Sequence, residues 1–258
     1  MHLLPPGKIL RRMGFLSDQQ GLINRWITEG ERWKTHLVNS RNYILQAVTR
    51  EKYRSVAILG SGWLLDVPLT ELADLCETVY LFDIRHPTQV QHLVKRFPSV
   101  RLYTADITGG MVAQVYRLCR ESKRGRVKVP LTALDYPLFR PEVDADVWVS
   151  VNLLSQVDSL MSEYIQELGI HDNEEINAFR LAVQQKHLEF LMNRRSVMIT
   201  DFYERVSELR KAAEYRRTVL VNRMPGAKNR KEWTWLFDDA GTYRPGTETR
   251  FRVMAVQF

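Results

Sequence analysis

A chain of 258 residues, 45% hydrophobic and 26% charged, has the make-up of an ordinary globular protein and is long enough for one sizeable core. No apolar run approaches the roughly 20 residues that cross a bilayer, which excludes a membrane-spanning helix, and the residue balance excludes a disordered chain. A net charge of +7, from 37 basic and 30 acidic residues, fits an anionic partner such as RNA and equally fits a solvated basic surface.

The start, MHLLPPGKILRRMGFLSDQQ, puts its apolar residues ahead of its arginine pair and contains two prolines. That is the wrong order for a secretory signal, so a cytoplasmic address is expected. Cys76 and Cys119 have no metal-ligand neighbours in sequence, and neither a disulfide framework nor a metal site is expected.

From Asp18 to about Arg50, apolar residues recur at helical spacing, as in Trp33, Leu37, Ile44 and Val48. One or two helices are predicted there, and residues 1–53 read as an N-terminal helical cap on a domain spanning 54–258. After Tyr53 the period changes. Val56–Leu59 is a continuous apolar run, Leu69–Cys76 a helix candidate, and Val79–Phe82 a second run ending in Asp83.

The alternation continues with His86–Phe97 as helix, Val100–Tyr103 as strand, Met111–Cys119 as helix and Asp146–Ser150 as strand. Short, wholly apolar strands alternating with helices predict a parallel sheet covered on both faces. The segment between the last two, ESKRGRVKVPLTALDYPLFRPEVDAD, reads as a surface connection. Ser155 is the expected N-cap of a helix through Leu168, and Asn173 with Glu174 and Glu175 opens another that reaches Met192. Ser196–Thr200 follows as a strand, and EWTWLF, a turn, and RFRVMAVQF close the chain as an antiparallel hairpin.

The stretch SVAILGSGWLLD places Gly60 and Gly62 in the first strand-to-helix turn, where doubly wound sheets cradle ligands and where glycine lets a ligand approach the backbone. Asp83 follows at about the 20-residue interval at which a carboxylate meets ribose hydroxyls. Asp106, after the third strand, is placed to meet an adenine amino group, with a turn or N-cap role as the alternative. Asn152 and Gln156 follow the fourth strand at the same edge.

This layout resembles the class I S-adenosylmethionine-dependent methyltransferases, an α/β, Rossmann-like, doubly wound family with a mostly parallel seven-stranded sheet ending in an antiparallel hairpin. The resemblance implies S-adenosylmethionine as cofactor. It places Gly60, Ser61 and Gly62 of AILGSG beside the methionine moiety, Asp83 and Ile84 of LFDI at the ribose, and Asp106 and Ile107 of ADIT at the adenine, with Asn152 also at the cofactor edge. The chain departs from the family in lacking an acidic residue in the first strand, a third glycine (Trp63-Leu64-Leu65 stands there) and the Asn/Asp-Pro-Pro-aromatic motif, which SVNLLSQ replaces.

The expected activity is methyl transfer to a small-molecule acceptor. Two alternatives remain on the same scaffold: an RNA-directed or non-catalytic binding protein, and an NAD-dependent oxidoreductase. Transfer of the cofactor's aminopropyl or aminocarboxypropyl group is a third possibility by analogy. Candidates for the chemistry, from position, are Asn152, His171, Asp201 and Tyr203. Trp233 and Trp235 share one strand face behind Lys228, Arg230 and Lys231, a pattern that suits either base stacking or the core.

Overall fold

The structure, a computed structural model, describes residues 4–125, 127–208 and 213–258. Arg126, within the predicted surface connection, lies outside them.

Two helices precede the sheet: α1 (Gly7–Arg12) and α2 (Phe15–Glu51), the second a single helix of 37 residues. Then come β1 (Ser55–Leu59), α3 (Leu69–Leu75), β2 (Thr78–Asp83), α4 (Thr88–Val94), β3 (Val100–Thr104), α5 (Met111–Gly125) and β4 (Val147–Val151). The second half contains α6 (Ser159–Gln166), α7 (Asn173–Met192), β5 (Ser196–Glu208), β6 (Glu214–Arg217), β7 (Lys228–Asp238) and β8 (Thr247–Gln257).

The sheet runs β3-β2-β1-β4-β5-β8-β7. Strands β1 to β5 pair in parallel, whereas β8 runs antiparallel between β5 and β7. Seven strands thus make the continuous path. The short β6, unmarked in the sequence pattern, adds to β5 off that path.

Alternation within β1 shows how the layers form. Val56 and Ile58 join Ile44 and Val48 of α2 and Leu72 of α3 on one face, and Ala57 and Leu59 join Leu188 and Leu191 of α7 on the other. Successive strand side chains point to opposite faces, and a central parallel strand buried on both can be apolar throughout. All five residues of β4 are buried accordingly.

Two expected helix starts differ in detail. Ser155 does not cap α6; its hydroxyl donates to Asp201 Oδ1 at 2.5 Å, and the helix begins at Ser159. Asp158, at the cap position, instead accepts from Arg180 Nε at 2.7 Å and Gln184 Nε2 at 2.8 Å, joining α6 to α7. Helix α7 begins at Asn173 as expected, closed by a capping box in which Asp172 and Glu175 each accept the other's backbone N–H. Strand β5 passes beyond Thr200 through a bulge between Asp201 and Tyr203, pairing with β8 along its length, with β4 through residues 196–199 and with β6 through residues 203–206.

Candidate functional site

The carboxyl ends of β1, β2, β3 and β4 surround a cavity of about 210 Å³, which α2 lines with residues between Phe15 and Leu37. Its glycine turn is pinned to the neighbouring strand: the N–H groups of Gly60 and Ser61 donate to Phe82 O at 3.0 and 3.1 Å. Gly60 and Gly62 have φ of 74° and 44°, a region where a side chain is strained. A Cβ on Gly62 would stand 4.0 Å from Asp83 Oδ2, in the space above that carboxylate.

Asp83, at the end of β2, accepts the Gly62 N–H through Oδ2 at 2.8 Å and the Arg85 N–H through Oδ1 at 3.2 Å. Burial raises its pKa, and those two N–H groups with nearby His86 act in the opposite sense. Asp106, after β3, accepts the backbone N–H and hydroxyl of Thr108 on Oδ1 at 3.0 and 2.5 Å, while its buried Oδ2 has no partner. Burial raises its pKa too.

The third glycine that the resemblance leads one to expect has a conformational echo. Leu64 occupies its vicinity with φ 60° and is buried. The turn is closed by Leu64 N–H donating to Ser61 O at 2.8 Å, so the left-handed conformation persists without the residue that adopts it most cheaply.

Gly60, Ser61, Gly62, Asp83, Ile84, Asp106, Ile107, Asn152 and Gln156, predicted for this edge, all line the one cavity. The other chemical candidates are elsewhere. His171 is buried before α7 with Nδ1 3.5 Å from Glu175, Asp201 is buried against Ser155, and Tyr203 lies exposed on β5. None of these three lines the cavity.

Residues that sequence reasoning missed come mainly from α2, notably Asp18, Gln19, Trp33 and His36. Trp63 Nε1 donates to Gln19 O at 2.8 Å and Gln19 Nε2 to Arg85 O at 2.9 Å, which ties the helix to the glycine turn and to the end of β2. Farther along, His36 stacks on Trp235 with ring centroids 3.9 Å apart and planes 5° from parallel. Its Nδ1 accepts from Trp233 Nε1 at 3.1 Å. Trp233 and Trp235 therefore face α2.

Asn152 sits at the end of β4 in a left-handed conformation, φ 47°, with its N–H donating to Ile199 O at 2.8 Å. Its Nδ2 lies 3.1 Å from His36 Nε2 and 2.5 Å from Asp66 Oδ2, and its Oδ1 is buried without a partner. Burial raises the Asp66 pKa to about 6 and lowers that of His36 to about 3. The ionisable wall is thus Asp18, Asp66, Asp83, Asp106 and a neutral His36; among the described residues, no lysine or arginine lines the cavity.

The order β3-β2-β1-β4-β5-β8-β7, with its last strand pair antiparallel and a glycine turn after β1, decides the fold. It is an α/β, Rossmann-like, doubly wound fold, as the sequence resemblance implies.

No protein-family model and no curated protein matches the chain. Among solved structures it is similar to the methyltransferase domain of bacterial CtHen1-CN, at 10% identity and TM-score 0.40 over 85% of this chain and 99% of that one. It is similar to the N-methyltransferase NodS from Bradyrhizobium japonicum WM9 in complex with S-adenosyl-L-homocysteine, at 8% identity and TM-score 0.38 over 85% of each chain. A third is the Burkholderia thailandensis 1,6-didemethyltoxoflavin-N1-methyltransferase with bound 1,6-didemethyltoxoflavin and S-adenosylhomocysteine, at 14% identity and TM-score 0.40 over 99% of this chain and 91% of that one. These likenesses are loose. Among the described residues, no group of three or more His, Cys, Asp or Glu is placed to hold a metal ion, and no helix is long and apolar enough to cross a membrane.

Proposed function

We propose that the cavity binds S-adenosylmethionine and that the protein transfers the cofactor's methyl group to a small-molecule acceptor. The charge of the wall carries this reading: four carboxyls and a neutral imidazole, with no lysine or arginine among the described lining residues. Such a wall suits a sulfonium cation and opposes a ligand rich in phosphate.

The residues fit the cofactor part by part. Asp83 keeps lone pairs beyond those used by the Gly62 and Arg85 N–H groups, and these would accept ribose hydroxyls. The unpartnered Oδ2 of Asp106 would take an adenine amino group, with Ile84 and Ile107 beside the ring. Gly62 leaves open the space that a Cβ would fill.

When bound, the cofactor supplies an electrophilic methyl group on a sulfonium whose departure leaves a neutral thioether. The chain's contribution is then alignment and exclusion of water. Helix α2 covers the cavity through the Trp63–Gln19 and Gln19–Arg85 bonds, and Asn152 lines the same cavity beside His36 and Asp66.

The oxidoreductase alternative requires a pyrophosphate at a helix N-terminus directly after the glycine turn. Here α3 begins only at Leu69, beyond the non-helical segment 63–68, and the wall offers no cation. The RNA alternative rests on the basic net charge, on Trp233 and Trp235, which face α2, and on Lys228, Arg230 and Lys231, of which Arg230 pairs with Glu232 and Lys231 Nζ donates to Gln46 Oε1 at 2.9 Å.

A thermal-melt series with S-adenosylhomocysteine tests the proposal. Ligand at about a hundred times its Kd should stabilise the fold by about 2.7 kcal/mol, and Asp106→Ala should require roughly tenfold more ligand for the same shift. A melting temperature unmoved by millimolar ligand would refute it.

A further inference from the structure

Four polar groups form a chain at the cavity wall, the last three of them lining it: the Trp233 indole, the His36 imidazole, the Asn152 amide and the Asp66 carboxyl. Their protons can be placed one after another. Indole N–H only donates, so His36 Nδ1, 3.1 Å away, must be bare. A neutral imidazole with a bare Nδ1 carries its proton on Nε2. Double protonation is excluded because Nδ1 would then have no lone pair for the indole.

His36 Nε2–H therefore points at the end of Asn152 that lies 3.1 Å away. If that end is the amide nitrogen, two N–H groups face each other while the amide oxygen is buried with no partner. Exchanging the two ends, a choice that hydrogen bonding alone decides, turns the oxygen to His36 Nε2–H. The same oxygen then lies 2.5 Å from Asp66 Oδ2, and two oxygens at that separation need a proton between them. The distance suits O–H···O and is short for N–H···O.

We propose that Trp233, acting through His36, keeps a proton on Asp66 and so holds Asn152 with its NH2 group at the buried, unpartnered position that Oδ1 otherwise occupies, where a hydrogen-bond acceptor of the substrate would be its partner. His36 and Asp66 are positioning residues in this arrangement. The ligand group that meets Asn152 must then be a hydrogen-bond acceptor, either a carbonyl oxygen or an unprotonated ring nitrogen. Among the described residues no lysine or arginine lines the wall, so an uncharged group suits it better than a carboxylate or a phosphate. This ligand class rests on the cavity being the site of methyl transfer proposed above; the placement of the protons does not.

The surroundings of Asp66 agree. Burial pushes its carboxyl up to about 6 even with an Asn152 N–H and the Arg41 charge favouring the ionised form. Turning the amide removes the first of these and raises the carboxyl further. The ionisable groups that line this cavity with Asp66 are His36 from α2, Asp18, Asp83 and Asp106; Arg41, also from α2, lies near Asp66 without lining it.

The test is nuclear magnetic resonance on the full chain: the His36 ring nitrogens by long-range proton–nitrogen correlation, and the Asp66 carboxyl carbon titrated in the wild type and in Trp233→Phe. The expected result is His36 protonated on Nε2 at neutral pH, with the Asp66 midpoint falling by about one unit or more in Trp233→Phe. In that variant Nδ1 can take the proton and Nε2 can accept from Asn152, which frees the amide to donate to an ionised Asp66. A merely structural Trp233 would leave the midpoint in place.

A proton on Nδ1 in the wild type, or an unmoved midpoint in the variant, would overturn the proposal. The wild-type tautomer together with the wild-type Asp66 midpoint, expected above neutral pH, decides it even if the variant does not fold, and an Asp66 ionised at neutral pH would overturn it. Repeating the wild-type measurement with S-adenosylhomocysteine separates the two readings, since failure of that ligand to bind would sink the cofactor and leave the proton positions as measured.

Discussion

Gly62 shows how one residue links backbone, carboxylate and ligand. Its φ of 44° is costly for other residues, its N–H is held by Asp83, and an added Cβ would enter the space over that carboxylate. Gly62→Ala is expected to cost about 1 kcal/mol of stability and to weaken S-adenosylhomocysteine binding by more than that strain explains, checked by paired urea unfolding and titration. His187 supplies a pH-dependent counterpart. It is buried on α7 with Nε2 2.8 Å from Ser150 Oγ, and burial lowers its pKa to about 4. The unfolded chain, with an ordinary histidine near 6.5, binds the extra proton first. This contribution is therefore full above about 6.5 and is lost as the pH falls toward 4. His187→Gln is expected to flatten the fall of the urea midpoint across that window; an unchanged slope would assign acid sensitivity to other groups, with His36 next in line. Asp66 acts with the opposite sign, since its raised pKa gives stability that is lost as the pH rises through about 6.

At the scale of elements, local period was enough to find the strands of the parallel sheet, because central strands must be apolar throughout and helices must alternate with them. Gly60, Asp83, Asp106 and Asn152 were legible for the same reason: each stands where a strand stops, and strand ends in this sheet point to one edge. His36 and Asp66 were not legible. His36 meets Asn152 and Trp233 across 116 and 197 positions of chain, and no local period encodes such a meeting. The available signal was slight: Trp33, His36 and Ser40 share the buried face of α2 with Tyr43 and Ile44, and a histidine on an apolar face needs a partner. Ser155 misled because an N-cap and a buried carboxylate compete for the same hydroxyl. The break in period near residue 53 marks where α2 ends, yet Trp33, Tyr43, Ile44 and Val48 belong to the same core cluster as β1 and β8. Trp33 donates to Phe237 O at 2.8 Å and is 1% exposed. Trp33→Ala is expected to cost about 3–5 kcal/mol, measured by urea unfolding of the whole chain. A loss below about 1 kcal/mol would mean that residues 1–53 are a separable cap.

The whole molecule separates charge by location. A net +7 resides on the chain, while the described cavity wall carries only carboxyls and a neutral histidine. Overall charge is therefore a poor guide to the ligand, and the local wall is the better one. Isothermal titration of the full chain with S-adenosylhomocysteine and with NAD, repeated on Asp83→Ala, tests this most directly. The account predicts micromolar binding of S-adenosylhomocysteine that weakens at least tenfold in the variant, with no heat from NAD. Binding of NAD without S-adenosylhomocysteine would contradict it, placing a pyrophosphate where the structure offers carboxylates.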